Sequence, residues 1–222
     1  GYGRNGPDAM RAGYDYVVQA EAGLMAITGD ADGEPHKVGV AVADLATGQN
    51  ATIAILAALR HRDASGRGQR IDVSLFDTQL SWLCNVGSNA LFTGEDAPRY
   101  GNEHASIVPY QAFHASDGDF VLAVASEKLW VQACEALDQQ DWLRDPRFVN
   151  NAARVRNREA LVALMEEVTR TRTTAQWIAL LEDKAVPCGP INDIGQAFAD
   201  PQVQARGLVV EQPRAAQTAA RD

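Results

Sequence analysis

The chain has 222 residues, of which 46% are hydrophobic and 22% are charged, and its formal net charge is -9. This composition is typical of a folded globular protein and argues against wholesale disorder or a fibrous protein. Binding to long nucleic acids requires clustered lysine and arginine, so the acidic balance predicts that the protein has no nucleic-acid partner.

The cysteines and the apolar runs indicate in which cellular compartment we expect the protein. Three widely spaced cysteines, Cys84, Cys134 and Cys188, favour a reduced intracellular protein with unpaired, mostly buried thiols. The longest apolar run, residues 51–59, is about half the length of a membrane span, which predicts a buried helix and no membrane partner. The chain begins in a glycine-rich turn without a signal segment, so we expect a cytoplasmic protein and an excised piece of a longer polypeptide.

The N-terminal half predicts helices separated by short extended segments. Apolar residues predict a helix within residues 10–28 that ends near Gly23. Residues 38–43 are small or β-branched and predict a strand or a buried extended segment, which leads directly into Asp44 and a long helix. Alternation over residues 71–75 predicts a half-buried strand, and a helix follows from about residue 76 to residue 92.

The C-terminal half predicts a smaller mixed unit. Residues 93–102 are rich in helix breakers and form the predicted domain boundary. Two apolar segments, 107–113 and 120–125, flank a polar turn and predict a hairpin. Helical patterns follow at about residues 127–137, 152–170, 174–184 and 193–206, interrupted by Pro187-Cys188-Gly189-Pro190, whose prolines favour a structural turn.

Several common site motifs are excluded. Gly1, Gly3 and Gly6 satisfy a dinucleotide-binding spacing, but no strand precedes them and Pro7 follows at once, so a turn is the better interpretation. There is no serine-hydrolase elbow and no phosphate-binding loop. The histidines lack the spacing of a metal site, so we expect no metal; they are His36, His61, His104 and His114.

The local pattern singles out Asp44. Six small or apolar residues lead to this acid at the predicted start of a helix, where a carboxylate can cap free amide groups and interact with the positive end of the helix dipole. On this pattern alone, a structural helix cap is the simpler interpretation.

Motifs along nearly the whole chain resemble the family III coenzyme A transferases, the CaiB/BaiF group. The segment Asp44-Leu45-Ala46-Thr47-Gly48 is the central motif. The other matching segments are residues 13–15, 37–43, 55–62, 66–74, 101–102, 108–110, 117–118, 145–148, 186–190 and 200–203. Their order and spacing together make the resemblance specific.

The resemblance implies an α/β architecture, with part of a Rossmann-like large domain, a smaller α/β domain and two chains interlocked as a homodimer. It places residues 1–75 in the large domain and residues 76–105 in a linker helix and loop. Residues 106–200 would form the small domain, and residues 201–222 would return toward the large domain.

The resemblance also implies the chemistry. The aspartate that matches Asp44 is the family's nucleophile, which exchanges coenzyme A between an acyl-CoA thioester and a carboxylic acid through an aspartyl-CoA thioester. Ala12, Gly13, Tyr14 and Asp15 match the stretch that lines the CoA site, although Tyr14 is equally well interpreted as a core residue at a helix start. Gly101, Asn102, Glu103 and His104 match a mobile substrate loop, but a single glycine there favours a plain interdomain loop.

Two alternatives remain open. The related α-methylacyl-CoA racemases use a histidine as a second acid or base where this chain has Tyr14, and a phenol is a poor base at neutral pH. The transferase interpretation is therefore preferred. The other alternative is an inactive fragment, because members of the family are about twice as long as this chain.

Overall fold

The computed structural model describes residues 1–212, so the last part of the predicted returning segment 201–222 lies outside the described residues. The chain divides into two compact units, which we call the first unit, Gly1–Ala105, and the second unit, which begins at Ser106. Together they contain ten helices and a three-stranded sheet within the described residues. The predicted mixed α/β class is confirmed.

The first unit is helical. Its helices are α1 (Asp15–Glu21), α2 (Val42–Ser65), α3 (Leu75–Ser81) and α4 (Cys84–Thr93). A short 3₁₀ helix follows α1, at Met25–Ile27. Helices α1, α2 and α3 pack against one another around Val18, Ala22 and Ala43.

The strand predicted at residues 71–75 is wrong, and residues 38–43, predicted as a strand or a buried extended segment, form neither. Residues 38–41 lack regular structure before α2 begins at Val42, and residues 71–74 are irregular before α3 begins at Leu75. No strand in this unit lies beside them, so their backbone groups bond elsewhere; the amide of Val38, for example, donates to a side chain. The predicted helix over residues 76–92 is real but is interrupted at Trp82 and Leu83.

Helix α2 is confirmed, but the prediction that it is buried is wrong. It ends at Ser65 against Gly66, which adopts the left-handed conformation typical of a helix C-terminus. Only Ala43 and Ala46 are buried, whereas Ile53 and Leu56 are 66% and 62% exposed. The physical reason is that the first unit has few elements to cover a helix of 24 residues.

The prediction that no segment is long and apolar enough to span a membrane is also wrong. Within α2, an 18-residue window has a mean hydropathy of 1.3, which satisfies the criteria of length and composition. Core helices of globular proteins satisfy the same criteria, so this helix alone does not assign the chain to a membrane.

The second unit contains the sheet. Strands β1 (Tyr110–His114), β2 (Asp119–Ala123) and β3 (Cys188–Pro190) pair antiparallel in the order β1-β2-β3. The predicted hairpin is confirmed, with Phe113 opposite Phe120. The predicted turn at residues 187–190 is wrong for its last three residues, which form the edge strand β3. Proline is tolerated in an edge strand because the amide that it lacks is not needed to pair with a further strand.

Six helices complete the second unit: α5 (Glu127–Ala136), α6 (Asn151–Arg156), α7 (Arg158–Thr169), α8 (Thr174–Asp183), α9 (Ile194–Ala199) and α10 (Pro201–Ala205). A 3₁₀ helix lies at Gln140–Leu143. The side chains of Ser126, Asn150 and Thr173 cap α5, α6 and α8. The core between the helices and the sheet contains Phe120, Trp130, Leu161, Met165 and Trp177.

The three cysteines are free, as predicted, but they differ in burial. Cys134 is buried, and this burial raises the pKa of its thiol to about 12. Cys188 is partly buried and Cys84 is exposed, so the expectation of mostly buried thiols is wrong for Cys84.

Candidate active site around Asp44

Asp44 lies in the first turn of α2 rather than at its cap. The cap position is occupied by Ala41, which has no side chain able to accept a hydrogen bond, so Asp44 is the third helical residue. Its side chain is exposed and has no hydrogen bond or ion pair with any residue of the described range 1–212. The helix-cap interpretation of Asp44 is therefore wrong.

The helix is capped instead by Asp15. Its Oδ1 accepts hydrogen bonds from the backbone amides of Ala43 at 2.7 Å and Asp44 at 3.3 Å. These are the second and third amides of α2, which a cap side chain normally satisfies. Asp15 comes from the start of α1, 29 residues before Asp44, so this cap joins two helices.

Gln19 holds the other side of the Asp15 carboxylate. This fully buried side chain donates from Nε2 to Asp15 Oδ2 at 2.7 Å. Its Oε1 accepts from the amide of Val38 at 2.9 Å. Gln19 therefore connects α1 to the irregular segment that precedes α2. Because the Val38 amide donates to Oε1 of Gln19, Nε2 is the atom of Gln19 that faces Asp15.

An open groove runs along α2 from Asp44. It has a volume of about 760 Å³ and is lined by Asp44, Leu45, Gly48, Gln49, Thr52 and Ile53. A Cβ placed on Gly48 would meet no atom within 4 Å. The carboxylate of Asp44 therefore lies on an exposed surface whose neighbouring side chains are largely apolar.

The stretch predicted to contact CoA lies at the start of α1. Tyr14 precedes the first helical residue and is 80% exposed, so the alternative that it is a core tyrosine of this unit is wrong. Ala12 is exposed too. A Cβ on Gly13 would lie 2.9 Å from the ring of Tyr2, so glycine is needed for this close approach. Asp15, by contrast, uses its carboxylate to cap α2.

The Tyr2 ring is itself fixed by α1. Its hydroxyl donates to the carboxylate of Glu21, and this hydrogen bond lowers the pKa of Glu21. Arg11 also pairs with Glu21, and its guanidinium lies 5.0 Å from the centre of the Tyr2 ring. The N-terminal segment thereby packs beside Gly13.

The predicted substrate loop belongs to the first unit. The amide of Gly101 donates to the carbonyl of Gly29 at 3.1 Å. Gly101 and Asn102 also line a groove of about 420 Å³ with His36 and Lys37, on the segment that leads into α2. Glu103 donates its amide to the carbonyl of Tyr100 at 2.9 Å, and His104 is partly buried.

Arg99 fastens this loop. Its guanidinium donates to the carbonyls of Asp30 at 3.1 Å and Gly33 at 2.6 Å, and to that of Ala26 at 3.4 Å. The loop is therefore attached to the turn that follows α1. The plain interdomain interpretation did not predict this attachment.

Within residues 1–212, no group of three or more histidine, cysteine, aspartate or glutamate side chains could hold a metal ion.

Sequence reasoning missed the roles of Gln19 and Arg99. The spacing of Asp15 and Gln19, four residues apart on one helix, is a detectable signal for a hydrogen-bonded pair. The bond from Asp15 to the start of α2 had no such signal, because it depends on how α1 packs against α2.

Comparison with known proteins gives the family. The sequence model of CoA-transferase family III matches residues 1–221. Among curated relatives, the human succinyl-CoA:glutarate CoA-transferase is 41% identical over 95% of this chain and 48% of its own length. The succinate–glutarate CoA-transferase of Agrobacterium fabrum is 43% identical over 95% of this chain and 53% of its own length.

The fold has a close match among solved structures. A CaiB/BaiF family protein from Brucella suis superposes with a TM-score of 0.80 and 44% identity, covering 93% of this chain and 55% of that protein. This chain spans about half the length of the relatives it matches. The motifs, the fold and the family match over residues 1–221 agree: the chain belongs to CoA-transferase family III.

Proposed function

We propose that the full-length protein transfers coenzyme A reversibly from an acyl-CoA thioester to a carboxylic acid, with Asp44 as the covalent acyl acceptor. The observation that carries this proposal is the Asp44 carboxylate, which is exposed at the start of α2 and unpaired within the described residues. Membership of the family supports the reaction class.

The proposed first half-reaction forms an aspartyl-CoA thioester. A carboxylate oxygen of Asp44 attacks the thioester carbonyl, the C–S bond breaks, and a mixed anhydride and a CoA thiolate result. The thiolate then attacks the Asp44 carbonyl of this anhydride. Cleavage of the C–O bond releases the donor acid as its carboxylate and leaves CoA on Asp44.

The second half-reaction repeats these steps in reverse order. The acceptor carboxylate attacks the Asp44 thioester and expels the CoA thiolate, which then attacks the acceptor carbonyl of the new anhydride. This step forms the product thioester and restores the Asp44 carboxylate. Over each half-reaction one C–S and one C–O bond break and one of each forms. The cycle therefore consumes no proton and requires neither ATP nor an oxidant.

We propose dicarboxylates of four and five carbons as the first substrates to test. Two relatives that are 41% and 43% identical to this chain are named for succinate, or its CoA thioester, and glutarate. Such an acid has a carboxylate at each end, so one carboxylate can react while a cationic side chain binds the other. Lys37, which lines the groove beside Gly101, is a candidate for this contact.

We further propose that the full-length protein acts in the cytoplasm as an interlocked homodimer. The exposed apolar side chains of α2 and α4, such as Ile53, Leu56, Leu91 and Phe92, support this assembly, because large apolar patches mark surfaces that are covered in the complete assembly. A sedimentation coefficient of a monomer at micromolar concentration would contradict the dimer.

Intact-protein mass spectrometry tests the proposed nucleophile. The full-length protein incubated with succinyl-CoA should gain the mass of one CoA less one water, and the Asp44→Ala variant should gain nothing. Asp63→Ala is the matched control, because Asp63 is another exposed acid on α2, and it should behave as the wild type. An undiminished adduct on Asp44→Ala would overturn the assignment.

Deuterium exchange tests the racemase alternative. A racemase would incorporate deuterium at C2 of a 2-methylacyl-CoA in deuterated water without any acceptor acid. We expect no incorporation, because this chain has a tyrosine at position 14 and a phenol is a poor base at neutral pH.

A further inference from the structure

We propose that Asp15 and Gln19 are positioning residues that keep the Asp44 carboxylate free for acyl transfer. The inference rests on the proposed function, since it assigns a task to Asp15, which bonds the backbone amide of Asp44, and to Gln19, which bonds Asp15. It also changes the expectation for Asp15, which the family resemblance places in the CoA site.

Helix α2 begins with backbone amides that the helix itself cannot satisfy. The first amides of a helix have no partner within the helix, and a cap side chain or an acid in the first turn usually satisfies them. Helix α2 has Ala41 at the cap, which cannot accept a hydrogen bond. Asp44, in the first turn, is thus the acid within the helix that is closest to these amides.

Asp15 satisfies these amides in place of Asp44. Its Oδ1 occupies the amides of Ala43 and Asp44, at 2.7 Å and 3.3 Å. The charge-assisted hydrogen bonds of a carboxylate are stronger than those of a neutral acceptor. With these amides satisfied from outside the helix, the Asp44 carboxylate can face solvent and substrate.

Gln19 selects the orientation of Asp15. The amide of Val38 can only donate, so it fixes Oε1 of Gln19 toward the backbone and Nε2 toward Asp15. Gln19 is fully buried, so water does not compete for these bonds. The Asp15 carboxylate therefore accepts from both sides, from Gln19 through Oδ2 and from the amides at the start of α2 through Oδ1.

Reversing the hydrogen bond between Gln19 and Asp15 is the sharpest test, made in the full-length protein with succinyl-CoA and glutarate. In Gln19→Glu a second carboxylate faces that of Asp15. In Asp15→Asn an amide nitrogen faces Nε2 of Gln19. Each single variant should lower kcat by roughly 10- to 100-fold, the cost of misplacing a reacting group. The double variant Asp15→Asn/Gln19→Glu restores a donor opposite an acceptor and should recover most of kcat.

The matched control is Asp117→Ala. Asp117 accepts a hydrogen bond from the first amide of α8, that of Thr174, also at 2.7 Å, so its removal costs a carboxylate hydrogen bond at a helix start without touching α2. We expect its kcat to remain near that of the wild type. The Kd for free CoA, measured by calorimetry, should change less than about threefold in the Asp15 and Gln19 variants, because the proposed defect lies in kcat.

The outcomes separate this inference from the proposed function. A wild-type kcat in both single variants would overturn the positioning role. A kcat of the double variant that is no higher than that of the less active single variant would overturn it too. A loss of CoA affinity with unchanged kcat would also overturn it and would return Asp15 to the CoA site. Full activity of Asp44→Ala would instead remove the proposed function itself.

Discussion

The guanidinium of Arg154 is buried against Glu127, whose own side chain is largely exposed. The Arg154 side chain is 1% exposed and that of Glu127 is 56% exposed, and their closest atoms are 3.0 Å apart. Arg154 also donates to the carbonyls of Val108 at 2.7 Å and Phe148 at 3.1 Å. It therefore joins the start of β1, the start of α5 and the loop before α6 within the second unit.

Removing the buried partner should cost more stability than removing the exposed one. Arg154→Met leaves two carbonyls without their donor and should lower the free energy of unfolding by about 3 kcal/mol. In Glu127→Gln, the amide oxygen still accepts one bond and water reaches the site, so we expect about 1–2 kcal/mol. Urea unfolding followed by tryptophan fluorescence measures both, since Trp130 lies 4.8 Å below the guanidinium.

The control for this pair is Arg147→Met, because Arg147 is an exposed arginine that pairs with Asp145 two residues away. Its unfolding midpoint should stay close to that of the wild type, as expected of a surface ion pair. Equal losses in Arg154→Met and Arg147→Met would contradict the importance of burial.

The hydrogen bond between Asp117 and the first amide of α8 predicts how stability depends on pH. The amide of Thr174 donates to its carboxylate at 2.7 Å, and this hydrogen bond lowers the pKa of Asp117 in the folded state. A lowered pKa stabilises the fold at pH values above the ordinary aspartate pKa, and this stabilisation is lost as the pH falls through the folded-state pKa. Wild-type stability should therefore decrease at acidic pH more steeply than that of Asp117→Asn.

Unfolding of both proteins at several pH values between 3 and 7 provides the measurement. Asp117→Asn should be less stable than the wild type at pH 7, and the difference should shrink toward pH 3. Parallel pH profiles would show that this hydrogen bond of Asp117 does not contribute.

The elements that sequence patterns predicted correctly are mostly local. The hairpin of β1 and β2 follows from two apolar segments around a polar turn, and α8 follows from the helical pattern of residues 174–184. The burial of α2 could not be predicted in this way. The apolar residues of α2 predict that another surface covers the helix, and only the surrounding structure shows whether this surface belongs to the same unit.

The candidate site was predictable in part, where its residues form local sequence motifs. The resemblance pointed to Asp44 and to the stretch around Tyr14, which are linear motifs. The Asp15 cap and the attachment of Arg99 to the carbonyl of Gly33 join residues 28 and 66 positions apart, so both depend on packing. The two failed strand predictions arose because a short β-branched segment, at residues 38–43, and an alternating one, at residues 71–75, also suit irregular stretches that precede helices.

The bonds of Arg99 predict that it controls the order of the loop at Gly101. Three carbonyls of the turn after α1 accept hydrogen bonds from this guanidinium. Arg99→Ala leaves the amide of Gly101 with its bond to Gly29 but without the neighbouring clamp. Hydrogen exchange should then become faster in peptides that cover residues 26–33 and 99–104.

Lysine at this position provides the control for charge. Arg99→Lys keeps the positive charge but cannot donate to three separate carbonyls in the same planar arrangement, so exchange should still be faster than in the wild type. Wild-type exchange in Arg99→Ala would show that the clamp is not needed.

Gly48 predicts opposite effects on stability and on activity. It lies four residues after Asp44 on α2, on the same side of the helix, and a Cβ there would meet no atom within 4 Å. Replacing glycine by alanine within a helix stabilises it by about 1 kcal/mol, so Gly48→Ala should raise the unfolding midpoint. The added methyl group, however, occupies the groove beside the proposed nucleophile.

We expect kcat/KM for succinyl-CoA to fall by roughly tenfold in Gly48→Ala, the effect of one extra methyl group in a substrate site. His61→Ala is the matched control, because His61 is exposed near the other end of α2 and its replacement also favours the helix. It should raise the midpoint slightly without changing kcat/KM. If Gly48→Ala is stabilised and fully active, the acyl-CoA thioester does not approach Asp44 along this groove.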